Sequence, residues 1–225
     1  MPIRHISALV LLCATAACAP IVTHGPRPEP GLQVVATGGI ALPLCDVTCE
    51  MSLMNQIGFG ARYGRPAEEG KPGYSVGGTV SMGVISSEVD LYVQAPAATI
   101  PEWDAGAGIL LSPAHVMPYI QLGQMRASGS GIYTTHGFVW MAERGDVIWM
   151  DAEGGTEVTP RFLSSTVAYR FAHRGGAVHL YVSGALGTMR MREVSPRRFE
   201  PPPPATAPVR FIMGGITLER RIRGF

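Results

Sequence analysis

The chain has 225 residues, a formal net charge of +1, 46% hydrophobic residues and 16% charged residues, which excludes a polyelectrolyte tail or a charged disordered segment and requires a folded body. Gly 28 and Pro 19 together make 47 of 225 positions, short of a low-complexity chain but enough for many turns. Eighteen Lys plus Arg against seventeen Asp plus Glu leave no basic excess to neutralise phosphates, so no nucleic acid partner is expected.

Residues 1–17 carry Arg4 and His5 followed by an uncharged apolar stretch through Leu9, Leu11 and Leu12 to Ala17. That is the order and length of a secretory signal peptide, and it is too short for a membrane-spanning helix. The run Thr15-Ala16-Ala17-Cys18 resembles the lipobox of bacterial lipoproteins. The resemblance implies that Cys18 becomes the first mature residue and is lipidated, and Ala19 in place of Asp implies delivery to the outer membrane. A plain export signal, with Cys18 as a spare thiol, is the alternative.

Residues 18–30 then read as a lipid-anchored, proline-rich extended tether without periodicity. Of the remaining cysteines, Cys45 and Cys49 most simply close a small disulfide loop in an oxidising compartment. Two free thiols are the alternative. A metal site would need more ligands than nearby Asp46 and Glu50 provide.

From residue 31 to 225 the pattern has period two and not 3.6. Ten segments result: 31–42, 55–63, 74–84, 89–95, 105–112, 115–125, 131–141, 162–172, 177–187 and 209–221. In 74–84, Tyr74, Val76, Val80, Met82 and Val84 oppose Ser75, Gly77, Thr79, Ser81 and Gly83. Residues 89–95 and 177–187 split the same way, with Val89, Leu91 and Val93 on one face of the first, and Val178, Leu180, Val182 and Leu186 on one face of the second. In 131–141, Ile132, His136 and Trp140 share one face, Tyr133, Val139 and Met141 share the other, and composition does not choose which faces outward. Most acidic residues fall between segments, among them Glu88, Asp104, Glu143, Glu157 and Glu193.

Strands of about ten alternating residues separated by turn-rich loops predict an all-β, antiparallel up-and-down transmembrane β-barrel of about ten strands, with eight as the alternative. A soluble sheet would place Lys, Glu and Arg on its second face. Here that face is mostly Gly, Ser, Thr and Ala, and the chain has a single lysine, Lys71. An even strand number puts both ends of the barrel on one side. Connections 43–54, 142–161 and 188–208 then lie on the outer side, and 64–73, 96–104, 126–130 and 173–176 on the periplasmic side.

The stretch Phe211-Ile-Met-Gly-Gly-Ile-Thr-Leu218 and the terminal Phe225 resemble the last strand of outer-membrane barrel proteins. The resemblance implies that Phe225 and its strand serve as the signal to the barrel-assembly machinery, with outer-membrane lipid as the surrounding partner. Arg190, Arg192, Arg197 and Arg198, on the outer connection 188–208, offer an anion contact for lipopolysaccharide phosphates, against a simple solvated loop. His173 and His179 flank the turn Arg174-Gly175-Gly176 and read as rim histidines. No metal-ligand spacing occurs and none of Ser164, Ser165 and Ser183 lies in a GxSxG, so no cofactor and no catalytic residues are expected.

The sequence therefore points to a non-enzymatic outer-membrane barrel lipoprotein with a structural, surface-interaction or small-solute passage role. Its rival is a soluble periplasmic lipoprotein with a β-sandwich or lipocalin-like barrel binding a small apolar ligand.

Overall fold

A computed structural model describes residues 22, 24–27, 29–44, 54–68, 71–81, 84–94, 103–112, 116–140, 147–151, 154–194 and 205–222. It contains β1 (Gly31–Pro43), β2 (Met54–Arg65), β3 (Gly73–Ser81), β4 (Val84–Gln94), β5 (Trp103–Leu111), β6 (Val116–Met125), β7 (Gly131–Trp140), β8 (Val147–Asp151), β9 (Gly154–His173), β10 (Gly176–Val194) and β11 (Ala205–Arg221). Each strand pairs antiparallel with its neighbours in the order β10-β11-β1-β2-β3-β4-β5-β6-β7-β9-β8, and β9 also pairs with β10. The sheet therefore closes on itself. β8 pairs with β9 alone, above the point where β7 leaves it at Trp140↔Arg161. Setting β8 aside leaves ten of the eleven strands, each with a partner on both edges. Among the described residues, closure leaves no open edge along these ten strands, which a strand bundle in lipid requires.

The rim that carries Gly31 and Arg221 is the near rim. There β6 and β7 are joined through residues 126–130, where Gly129 N–H donates to Arg126 O at 2.8 Å. β9 and β10 are joined by the two residues Arg174 and Gly175, and Gly175 adopts the φ of +87° that this tight hairpin demands. At the opposite, far rim β9, β10 and β11 run on as an extended hairpin whose ladder continues to Val194↔Gly155.

Alternation along each strand now acquires a direction. In β3 the large apolar side chains Tyr74, Val76 and Val80 are exposed, while Ser75 and Gly73 are buried. In β10, Leu180, Val182 and Leu186 point out and His179, Tyr181 and Ser183 point in. In β7, Ile132, His136 and Trp140 point out, and Tyr133 and Val139 point in. Exposed large hydrophobics recur on β1, β2, β3, β5, β6, β7, β9, β10 and β11, while the buried set includes Arg62, Asp104, Arg170, His179 and Glu219. This is the inverse of a water-soluble fold, and it is the arrangement of a lipid-bathed barrel with a polar lumen. Tyr63, Tyr74, Trp103 and Phe171 stand exposed on the outside close to the near rim, the position of an interfacial aromatic girdle.

Three expectations change. Segments 74–84 and 89–95 left a gap at 85–88, but the connection sits earlier, since β3 ends at Ser81 and β4 begins at Val84 in register with it. The connections 142–161 and 188–208 contain β8 and the far ends of β9, β10 and β11; those stretches are rich in Thr, Arg and Glu, so the ladder continues without an apolar alternation to betray it. Acidic residues are not all kept out of the strands either: Asp104 lies on β5 and faces inward.

Candidate lumenal site

Inward-facing positions divide the lumen into two zones. Toward the far rim the filling is apolar and aromatic: Ala41, Leu110, Met117, Val139, Phe162, Phe211 and Met213 belong to one buried cluster. Within it Phe162 and Phe211 meet edge to face, 6.1 Å between centroids.

Toward the near rim the filling is ionic. Glu219 of β11 receives Arg62 of β2 at 3.2 Å and lies 3.5 Å from Arg170 of β9. On its other side His179 Nε2 sits 3.0 Å from Glu219 Oε2. The Tyr133 hydroxyl bonds to His179 Nδ1 at 2.9 Å, so a chain Tyr133, His179, Glu219, Arg62 crosses the barrel from β7 to β2. Each member occupies an inward position of its strand, and none survives burial without the others.

A second element fills the space this network leaves. An eight-stranded barrel is about as wide as its inward side chains can fill, and diameter grows with strand number. In this ten-stranded ring the extra width is taken by the chain's own N-terminal segment. Val22, His24, Gly25 and Pro26 are buried. From Pro30 at the near rim the segment runs back into the lumen along β6. Pro26 lies against Gly123, where a built Cβ would come within 2.9 Å of the proline ring. Gln121 Nε2 donates to His24 O at 2.7 Å, and the Tyr119 hydroxyl lies 3.4 Å from His24 Nε2. The described residues of the stretch read as a tether run inside the barrel.

Two charged residues of the segment fasten it. Arg27 reaches Asp104 on β5 at 3.3 Å. Glu29 is shared between two arginines: Oε1 receives Arg170 Nη2 at 2.7 Å and Oε2 receives Arg221 Nη2 at 3.0 Å. Gln33 Nε2 adds a bond to the Glu29 carbonyl at 3.0 Å, and Arg170 also donates to Gly129 O. Arg170 is 3% exposed, so its link to Glu29 is a charge-assisted bond formed away from bulk water.

Of the residues singled out from sequence, Cys18, Cys45, Cys49, Arg197, Arg198 and Phe225 lie outside the described residues. Arg190 is exposed on the far extension of β10, whose backbone also carries Arg192. His173 is exposed in the near-rim turn as expected, but His179 is not a rim residue: strand parity turns it inward, where it is fully buried. Among the described residues no three His, Cys, Asp or Glu side chains gather to hold a metal.

The lumenal group Arg62, Asp104, Tyr133, Arg170 and Glu219, with Arg27 and Glu29 from the segment, was not singled out. Its one sequence signal is that Asp104, Arg170 and Glu219 share strand faces with small or polar residues. Outside the barrel, Ser165 Oγ and His136 Nδ1 bond at 2.9 Å. They stand opposite each other across β7 and β9, and the outward residues around them, Ile120, Phe138, Leu163 and Val167, are apolar.

No protein-family model matches the chain, and no curated protein matches it. Among solved structures it is similar to the crystal structure of the outer membrane protein OprG from Pseudomonas aeruginosa, with 9% identity and a TM-score of 0.41, covering 88% of this chain and 100% of that one. It is also similar to the crystal structure of the Acinetobacter baumannii outer membrane protein Omp33, with 8% identity and a TM-score of 0.32, again over 88% of this chain and 100% of the other.

Proposed function

We propose that this chain is a non-enzymatic β-barrel lipoprotein of the bacterial outer membrane that serves the passage of small solutes. The near rim faces the periplasm, Cys18 carries the lipid, and Phe225 addresses the barrel-assembly machinery. The observation that carries the reading is the inversion of polarity: apolar side chains cover the outside of a closed ten-strand ring while polar and ionisable side chains line its inside. A water-soluble lipocalin-like barrel needs the opposite distribution, with an apolar cavity and a charged exterior. Buried Arg62, Arg170 and Glu219 give the lumen a polar lining, which passage of small polar solutes can use.

The test is electrophoretic mobility of the full-length protein, extracted from membranes in mild detergent and run in SDS with and without boiling. A closed barrel resists SDS and shifts on boiling. Absence of a shift, combined with water solubility of the Cys18→Ala chain, favours the soluble binding lipoprotein. Incorporation of labelled palmitate, lost on Cys18→Ala, tests the anchor separately.

A further inference from the structure

We propose that Arg170 and Arg221 form a binding site for the carboxylate of a small anionic solute, and that Glu29 occupies this site in cis as the latch of a removable plug made of the described residues 22, 24–27, 29 and 30. The inference rests on the passage reading above.

The geometry is that of a ligand in a site. One carboxylate bridges two guanidinium groups from different strands, at 2.7 Å and 3.0 Å, and the more deeply placed of the two, Arg170, is buried. The carboxylate does not belong to the barrel wall. It arrives on a segment 141 residues away in sequence from Arg170, lying along β6 and outside the hydrogen-bonded ladder of the sheet. The wall retains a full network without it, since Arg62, Arg170, His179 and Glu219 remain in contact with one another.

Withdrawal of the segment therefore leaves two consequences together. A void one extended chain wide opens beside Gly123, Gln121 and Tyr133. Arg170 and Arg221 lose a carboxylate while Asp104 loses Arg27, so the net charge of the lumen is unchanged but a positive side made by the two arginines is left opposite Asp104. A solute bearing a carboxylate restores what Glu29 supplied, so the occupant of the open form is an anion of that chemistry, and the plug and the solute compete for one pair of arginines.

The experiment is single-channel recording in planar bilayers of the full chain purified from outer membranes, comparing wild type, Glu29→Gln and Arg221→Gln in a potassium chloride gradient, with and without added sodium acetate. Glu29→Gln is expected to raise the open fraction by at least about tenfold, the shift that follows when a latch of this kind stops favouring the closed state. Its reversal potential should report chloride preference, and acetate should reduce its chloride current by dwelling between the two arginines. Arg221→Gln should also open more than wild type, yet with weaker anion preference and little response to acetate.

Retention of the boiling-dependent mobility shift in each variant certifies the folded barrel. A folded Glu29→Gln that conducts no more than wild type overturns the plug. One that opens but prefers potassium, or ignores acetate, overturns the carboxylate site. A wild type that shows no mobility shift removes the membrane reading itself, and that result is distinguishable from either.

Discussion

Leu218 and Glu219 are consecutive residues of β11, yet the first is 52% exposed and the second 5%. The outward residue is apolar and half open to the surroundings; the inward one is enclosed by protein and carries a carboxyl group. One strand thus serves two solvents, lipid outside and a polar network inside, and the period-two alternation is the boundary between them. Exposure alone misleads here: an exposed leucine marks a match to lipid, and a buried glutamate marks a site whose partners had to be assembled from β2, β9 and β10.

The sharpest way to break that contrast is to discharge the inside. Glu219→Gln leaves Arg62 and Arg170 facing each other across a closed lumen, and removal of one partner from a buried charge network costs on the order of 3–5 kcal/mol. The expected readout is a large fall in the urea midpoint of the barrel folded in lipid vesicles. A change under about 1 kcal/mol would mean that the lumen is wet enough to screen the charges.

Charging the outside comes next. Val182 stands outward on β10 between Val167 and Gly214, and Val182→Arg is expected to cost about 2–4 kcal/mol near the bilayer midplane. In a water-soluble barrel the same surface change stays within about 0.5 kcal/mol, so the unfolding measurement decides between the two solvents. Gly123→Ala follows, with on the order of 1–3 kcal/mol from overpacking: its Cβ would lie 2.8 Å from Tyr133 Cβ and 2.9 Å from Pro26 Cγ. Because one of those neighbours belongs to the lumenal segment, cleavage by added protease within residues 22–30 should also quicken in this variant.

Much of the barrel was legible. The ten alternating segments correspond to β1 through β7, β9, β10 and β11, because lipid imposes a strict apolar requirement on one face and side chains filling a narrow lumen impose small or polar residues on the other. β8, the five-residue run Val147–Asp151, escaped because it lies beyond the apolar band, where pairing with β9 holds it and no alternation is needed. The lumenal site was illegible for a different reason. Arg27 finds Asp104 at a separation of 77 residues and Glu29 finds Arg170 at 141, and nothing local to a proline-rich stretch says that its two charges have partners across the barrel. Inward parity could have flagged Glu219 and Arg170, since Glu219 follows Gly215 and Thr217 on its face and Arg170 follows Ser164, Thr166 and Ala168 on its own. It could not have supplied the segment that fills the space between the walls.

The smallest effect concerns the outer face, where Ser165 and His136 stand bonded to each other among apolar side chains. A polar pair in lipid is tolerated because each group satisfies the other. Ser165→Ala alone strands the imidazole and should cost about 1 kcal/mol, whereas the double change Ser165→Ala with His136→Leu removes both polar groups and should be neutral or slightly stabilising. The sign of that difference separates a mutually satisfied pair from a working nucleophile and base. A hydrolytic dyad predicts that both variants lose turnover of a lipid ester, while a structural pair predicts that wild type shows no such turnover and that only the single variant is weakened. The second result keeps the outer face as a boundary with lipid and leaves the chemistry of this chain to the arginines inside.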